Sequence, residues 1–491
     1  MSSYILGIDQ GTTSSKVIVM DENLHLVAEH SKPFEQFFPS PGLVEHDLNQ
    51  IWASIDESIQ AVLQKVDPKQ IKAIGITNQR ETICFWDKNT VEPLCKAIVW
   101  QDRRTASRCE ELRRQGIEPT IQKKTGLLLD PYFSSTKLEW ALKNIPEVKK
   151  ALAAGTLAVG TIDSFVLAKL TGGKVHATEP SNASRTMLFD LEKKNWDPEL
   201  LSLFGVPKEI LPEIKPTFGE FGKTLKASKL PDGIPVSGII GDQQSALLGQ
   251  ACYEPGQAKC TYGTGAFLLM NTGSNLKRSQ FRLVSTIAWM EADGKTTYAL
   301  EGSAFMAGAT IQWLRDGLKI ISKSSEVEAL ANEVSTTDGV MFVPAFTGLG
   351  APYWNPHAKA VISGLTRGST KAHIARAALE GIAFQNAEIL RAMEKDLGSE
   401  IRELNVDGGA CKNNLLMQIQ SDLLGRKISR PVFTETTVMG AIFAAGLGCG
   451  IWKSFSEVKK AWKLEKEFSP VISSIERERR FKEWEEAVKK S

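Results

Sequence analysis

Net charge is nearly absent from this chain. Its 59 lysines and arginines are matched by 57 aspartates and glutamates, leaving +2 over 491 residues. That balance offers no field for a nucleic-acid backbone or an anionic membrane surface, and neither is expected as a partner. Cysteine is scarce: seven residues, an odd count with no C-x-x-C spacing. This argues against a disulfide framework or a zinc ribbon and for a reducing compartment. The six histidines are scattered and form no H-E-x-x-H pattern. Residues 1–9 carry no basic stretch and meet an acid early, so they do not read as a signal peptide. Long apolar runs are missing too. Residues 339–358 are uncharged but broken by Pro, Gly and Asn, and read as a loop. Residues 436–452 are short and Gly-rich. A spanning helix needs about 20 mostly apolar residues, so a buried helix is the reading there.

What is present is an ordinary globular composition, 42% hydrophobic and 24% charged, which excludes disordered and collagen-like classes. A single core stops growing near about 250–300 residues, so two or three domains are expected, in a soluble, cytoplasmic protein. Apolar runs at 4–8, 16–20 and 24–29 predict a hairpin and a third strand. A helix over 48–65 follows, with Ile51, Ile55, Ile59 and Val62 on one face and Asp47 as N-cap. Strands are expected at 71–77 and 97–100. In the middle, a strand over 235–240 is followed by a helix over 245–251, then strands at 258–262 and 266–270. Helices at 304–314 and 372–394, a Gly- and Pro-rich loop at 342–354 and a strand at 404–410 come next. The charged tail from Glu476 reads as a solvated terminal helix. Strands alternating with helices indicate an α/β class. The strand, small-residue turn and strand at the start recur near 260, which suggests two related halves meeting somewhere in 242–260.

Three small-residue turns follow strands: Asp9-Gln-Gly-Thr-Thr-Ser14, Gly263-Thr-Gly265 and Asp407-Gly-Gly-Ala410. Glycine lets a backbone approach a phosphate, and successive N–H groups form an anion-binding concavity. Three such turns, two carrying an Asp, point to nucleotide phosphates. A Walker A loop is not the means: before Gly222-Lys-Thr224 and Gly294-Lys-Thr296, Thr217 and Trp289 stand where its first glycine belongs. No G-x-G-x-x-G follows a strand, and no G-x-S-x-G elbow occurs. Asp9 and Asp242, at predicted strand ends, can hold Mg²⁺ through waters, accept a hydroxyl proton, or simply cap the next turn. Arg80-Glu81 is either a surface ion pair or a site for vicinal hydroxyls. Trp100, Tyr132 and Phe267 lie beside polar turns or in the core.

Taken in order, Gly7-Ile-Asp-Gln-Gly-Thr-Thr-Ser-Ser15, Asn78-Gln-Arg-Glu-Thr82, Val99-Trp-Gln101, Asp130-Pro-Tyr-Phe133, Asn182-Ala-Ser-Arg-Thr-Met187, Gly241-Asp-Gln-Gln244, Thr261-Tyr-Gly-Thr-Gly265 and Asp407-Gly-Gly409 resemble the glycerol kinases. These are the polyol branch of the FGGY carbohydrate kinase family, with the actin-like ATPase fold. The resemblance runs nearly end to end. It implies two ribonuclease-H-like domains, 1–248 with the polyol site and phosphate turn and 249–491 with the nucleotide site, around a catalytic cleft. It implies that ATP, with Mg²⁺, phosphorylates glycerol to sn-glycerol 3-phosphate. Arg80, Glu81, Tyr132, Asp242 and Gln243 would contact the glycerol, with Trp100 and Phe267 packed on its carbons. Thr12, Thr13, Ser14 and Lys16 would face the phosphates, while Thr264, Gly308, Gln312, Gly409 and Asn413 would line the nucleotide site. Asp9 would organise Mg²⁺, with Asp242 beside it as the base. A homodimer or homotetramer is also implied.

Departures from the family pattern carry expectations as well. Lys16 stands where an arginine is common, which keeps the charge and loses the bidentate fork. Residues 227–233 lack both the Gly-Gly-Thr-Arg loop that binds fructose 1,6-bisphosphate in some bacterial members and the phosphorylatable histidine of others, so neither regulatory input is expected. A kinase for another polyol or ketose is the alternative within the class. A non-catalytic scaffold of the same fold is the alternative outside it, and the intact Asp242 and phosphate turns speak against it.

Overall fold

A computed structural model describes residues 3–355 and 357–491, so the readings that include Met1, Ser2 or Pro356 lie partly outside the described residues. The chain opens as a meander: β1 (Tyr4–Gln10), β2 (Ser14–Asp21) and β3 (Leu26–Pro33). The third strand starts two residues late because Leu24 takes a positive φ of 68° in the preceding turn. Helix α1 (Leu48–Val62) buries Ile51, Ile55, Ile59 and Val62, and Asp47 caps it by accepting from the N–H of Asn49 at 2.8 Å. Then come β4 (Ile71–Asn78), β5 (Phe218–Lys223) and β6 (Pro235–Gly241). Together they form a six-stranded sheet in the order β5-β6-β4-β1-β2-β3, with β1, β4 and β6 parallel. A separate five-stranded sheet combines Gln36–Phe37 and Glu45–His46, which precede α1, with Ile83–Asp87, Ala97–Ile98 and Leu157–Thr161, which lie between β4 and β5.

Helix α2 (Asp242–Gly249) leads to β7 (Gln257–Tyr262), β8 (Ala266–Gly273), β9 (Val284–Met290) and β10 (Thr296–Ala304). After α3 (Gly308–Asp316) and the long α4 (Lys371–Leu397) come β11 (Glu403–Asp407), α5 (Asn414–Leu424), β12 (Ile428–Pro431), α6 (Thr436–Gly448), β13 (Leu464–Phe468) and α7 (Ser474–Val488). The second large sheet runs β9-β10-β8-β7-β11-β12-β13. Strands β7, β8 and β10 form an antiparallel meander, and β7, β11 and β12 are parallel. This is the grammar of the first sheet: β1, β2, β3, β4 and β6 correspond to β7, β8, β10, β11 and β12. The faint repeat in the sequence is a repeat of strand order.

Three sequence expectations need correction. Helix α2 starts at Asp242 rather than 245, with Gly241 as its N-cap, so Asp242 sits in a first helical turn and not at a strand end. Helix α3 starts at Gly308 rather than 304, because β10 continues to Ala304 as the partner of β8. The tail helix is not merely solvated. Phe481, Trp484 and Ala487 are buried, and Trp484 stacks on Phe384 of α4 at 4.9 Å. Residues 339–355 are mostly irregular, as expected, but contain the short strand Met341–Val343.

Helix α6 lies in the C-terminal half of the sequence yet packs on the first sheet. It is apolar on all faces, and Val438, Ile442, Phe443, Ala444 and Ala445 are fully buried. Glycines make the approach possible. A Cβ at Gly75 would lie 2.1 Å from the Ala441 carbonyl oxygen, and one at Gly238 2.4 Å from the Ala444 carbonyl carbon. On α2, Gly249 would meet Thr436 O at 2.0 Å, and Gly440 of α6 would meet Ser245 O at 1.9 Å. Helix and sheet therefore touch backbone to backbone, and the second sheet is tied to the first through the α2–α6 pair. Gly75→Ala is expected to destabilise the fold by at least the ~1–3 kcal/mol typical of overpacking. Urea unfolding checks this, and a midpoint equal to that of the parent protein would contradict the contact.

Candidate active site

Strand β1 ends and β2 begins at Gly11–Ser14, where Gly11 N–H donates to Ser14 O at 3.0 Å and closes the turn. Thr12 is fixed twice: Gln36 Nε2 donates to its carbonyl at 2.8 Å and Trp100 Nε1 to its hydroxyl at 3.0 Å. Thr13 is exposed at the tip. Lys16 does not face this turn freely, because its Nζ pairs with Glu435, just before α6, at 2.5 Å. In the second sheet the turn Gly263–Gly265 stands in the equivalent place. The N-terminus of α3 is hydrogen-bonded onto it, Gly308 N–H to Gly263 O at 3.0 Å and Ala309 N–H to Thr264 O at 3.0 Å. A Cβ at Gly308 would lie 2.6 Å from Gly263 O, so only glycine fits. The third turn meets the second: Gly408 has φ 83°, and a Cβ there would lie 2.5 Å from Tyr262 O. Gly409 beside it faces open space. Thr264, Gly308 and Gly409 are thus brought together. Gln312 is exposed one turn into α3, and Asn413 caps α5, its Oδ1 accepting from Leu416 N–H at 2.8 Å while its own N–H donates to Ala410 O of the third turn at 3.1 Å.

The Arg80-Glu81 pair is not on the surface. Both side chains are sealed, Arg80 at 1% and Glu81 at 2% exposure. Glu81 has φ 61°, and Thr82 N–H donates to Arg80 O at 2.7 Å, so Glu81 is the central residue of a tight γ-turn, a strained conformation. That kink sends two adjacent side chains into one buried ionic lattice. Arg80 donates to both carboxylate oxygens of Glu301 on β10, at 2.5 and 3.0 Å, and to Gln244 Oε1 at 3.1 Å. Its Nε lies 3.0 Å from Asp242 Oδ1. Arg185 closes the lattice, donating to Glu81 at 2.6 Å and to Glu301 at 2.9 Å. Gly241 provides the space, since a Cβ there would stand 2.8 Å from Arg80 Cδ. The missing side chain at 241 therefore admits Arg80.

Asp242 keeps a quarter of its side chain exposed at the rim of this lattice. Three half-buried rings stand near: Trp100 is edge-on to Tyr132 at 5.5 Å and to Phe267 at 6.4 Å. They form an apolar wall and are not core residues. Gln243, the next residue on α2, is held by the buried Lys259 of β7.

Residues 4–249 match the N-terminal domain and residues 258–449 the C-terminal domain of the FGGY family of carbohydrate kinases. The chain belongs to that family. Glycerol kinase of Bdellovibrio bacteriovorus is 53% identical, covering 100% of this chain and 99% of its own. Glycerol kinase 2 of Thermotoga maritima is 50% identical, covering 99% and 98%. The crystal structure of Plasmodium falciparum glycerol kinase with ADP superposes with a TM-score of 0.93 at 39% identity, over 100% of this chain and 98% of that one. Gluconate kinase from Lactobacillus acidophilus, at 24% identity and a TM-score of 0.89, shares the fold. Among the described residues, no helix is long and apolar enough to cross a membrane.

The electrostatics of this FGGY cleft separate its carboxylates. Glu301, although buried, is drawn down to about 2 by Arg185 and Arg80 and stays ionised. Asp242 is raised by burial, against the pull of Arg80 and Lys259. Asp9 is pushed up to about 7, first by burial and then by Asp242. No protein donor among the described residues hydrogen-bonds the Asp9 carboxylate. Two carboxylates that repel each other beside the glycine turns could hold a divalent cation. Arg185, Glu301 and Lys259 escaped the sequence reading as site residues. The available signal was a lone charge inside an otherwise apolar strand, as in Tyr-Ala-Leu-Glu301-Gly.

Removing Arg80 should leave Glu301 buried with Arg185 as its one remaining guanidinium partner. Breaking a buried pair costs about 3–5 kcal/mol, so Arg80→Ala is expected to lose that much in denaturant titration. A loss below about 1 kcal/mol would show that the lattice does not bear on stability. Asp9 should behave in the opposite way. Its folded value lies above that of an unfolded carboxylate, so the stability it contributes is present at low pH and is lost as pH rises through 7. Asp9→Asn is expected to be more stable than the parent above pH 7, by at most about 4 kcal/mol, with the gap closing toward pH 4. Melting temperatures against pH check this, and a variant less stable at pH 8 would refute it.

Proposed function

We propose that this kinase transfers the γ-phosphoryl group of ATP to the terminal hydroxyl of glycerol, giving sn-glycerol 3-phosphate. The observation that carries the reading is the position of Asp242. It is a partly exposed carboxylate at the head of α2, fixed by Arg80 and set at the rim of the Arg80-Glu81 lattice with the Trp100, Tyr132 and Phe267 wall nearby. Full-length relatives named glycerol kinase support the substrate.

Asp242 Oδ1 accepts the N–H of Gln243 at 2.7 Å and has Arg80 Nε beside it at 3.0 Å as a charge contact, which leaves Oδ2 to accept the proton of the attacking hydroxyl. Burial that raises the carboxylate makes it the better base. Glu81 and Gln243 present polar groups toward the other hydroxyls. Arg80 reaches a hydroxyl by sharing an N–H already engaged with Glu301, so its first duty is to hold Asp242 and its second is to contact the polyol. Thr12, Thr13 and Ser14 face Thr264, Gly308 and Gly409 as two phosphate-holding turns, with Gln312 and Asn413 toward the nucleoside. Lobes 1–248 and 249–491 are the two walls. Phosphoryl transfer depends on such positioning and charge neutralisation more than on covalent help.

Mg²⁺ fits what is present. It keeps several waters and takes one or two carboxylates beside substrate phosphates. No three metal-binding side chains cluster among the described residues, while Asp9 and Asp242 offer a pair. Bound there, it would neutralise charge on the transferring phosphoryl. A cytoplasmic location fits ATP use and the seven free thiols. A homodimer or homotetramer belongs to the same proposal.

Asp242→Asn keeps shape and removes basicity. General-base loss is typically ~10²–10⁴-fold, and kcat for glycerol is expected to fall by that much with ATP affinity retained. A coupled assay of the folded variant, run beside glycerol, xylulose, ribulose and erythritol with the parent enzyme, checks both base and substrate. A variant keeping more than about a tenth of the parent kcat, or a parent enzyme that prefers a ketose, would overturn the reading.

A further inference from the structure

The buried Lys259 has no counter-ion in contact. It lies on β7 with no exposed surface, and no carboxylate among the described residues comes within 4.0 Å of its Nζ. Its three N–H bonds go instead to neutral acceptors: Gln243 Oε1 in a short contact, Thr261 Oγ1 at 2.9 Å and Phe267 O at 3.3 Å. A sealed ammonium satisfied only by neutral oxygens is expensive to keep. Burial accordingly pulls Lys259 below its ordinary value, opposed by the more distant Asp407 and Asp242. A structural need would be met at lower cost by methionine or leucine.

Two of the three acceptors belong to residues placed at the polyol. An ammonium can only donate, so the group of Gln243 that turns toward it must be the carbonyl oxygen. That fixes the amide. The nitrogen of Gln243 makes no hydrogen bond to a protein acceptor among the described residues, yet it is not sealed off. It points its two N–H bonds at whatever the cleft holds. The same ammonium pins the backbone at Phe267, whose ring completes the aromatic wall.

We propose that Lys259 is a positioning residue for polyol recognition: it locks Gln243 as a hydrogen-bond donor to a substrate hydroxyl and ties that donor to the Phe267 wall. This rests on the polyol-kinase reading above. Without the lock, Gln243 can rotate its amide and offer an oxygen in place of the N–H, and the substrate loses a directed donor while the phosphate turns are untouched.

The test is a double-mutant cycle in the full-length enzyme, with the parent's glycerol activity measured first so that failure of the polyol reading shows separately. Lys259→Met is expected to raise the KM for glycerol about tenfold or more with the KM for ATP changed less than about twofold. In a Gln243→Ala background the same substitution should add less than about twofold, because the residue it acts through is gone. Lys259→Arg is the second variant, used if Lys259→Met does not fold. It keeps the charge but moves the donor geometry, and should shift the glycerol KM in the same direction. Equal rises in the two KM values, or a Lys259 effect of the same size with and without Gln243, would overturn the proposal, as would a Lys259→Arg enzyme with unaltered glycerol KM.

Discussion

The site is organised by one carboxylate on the second sheet, Glu301, that two arginines from the first half of the chain require. Arg80 and Arg185 are sealed from water, and Glu301 is the carboxylate that both of them share. Desolvation of a guanidinium costs several kcal/mol and is offset only when geometry and hydrogen bonds are nearly complete. Glu301 therefore determines where Arg80 lies. Arg80 fixes Asp242, and Arg185 fixes Glu81. The strained turn at Glu81 and the absent side chain at Gly241 are the local concessions that let this arrangement close. Asp242 and Glu81 are thus held from behind by a lattice that ends on Glu301 and Arg185.

Around that anchor the two sheets repeat one design. Each begins with a strand that turns back through glycine and hydroxyl residues, and each turn faces the same space. A repeated strand order gives each sheet an equivalent turn, and in the proposed reading these two turns hold the phosphates. The charges beside those turns are unbalanced by intent of geometry: Asp9 and Asp242 repel each other in a place where burial already disfavours both. Asp242 has Arg80 and the Gln243 N–H beside it, so Asp9 is the less satisfied of the two, and a carboxylate raised that far is the kind of group that marks a functional site.

Much of this was legible in the sequence because it is local. Glycine turns after apolar strands, the Asp47 cap, the face of α1 and the buried character of 436–448 all follow from residues near one another in the chain. The end-to-end motifs gave the family. What could not be read is what depends on partners far apart. Arg80 and Glu81 are neighbours in sequence, which says nothing of burial, and the surface reading was wrong because Glu301 and Arg185, more than a hundred residues away, receive them. The tail helix looked solvated because its charges outnumber its apolar residues. Phe481 and Trp484 nevertheless find Phe384.

The seating of α6 on the first sheet also bears on how the protein is made. Ribosomes deliver the strands of the first sheet early, but the helix that covers Ile5, Ile18 and Ala73 is among the last segments to emerge. Until residues 436–448 arrive, that face of the sheet has no partner shaped for its glycine-lined floor. The amino-terminal lobe therefore cannot mature as an independent unit during translation. Its completion waits for nearly the whole chain, and a nascent or truncated polypeptide ending before α6 is a client for chaperones or proteases rather than half of an enzyme.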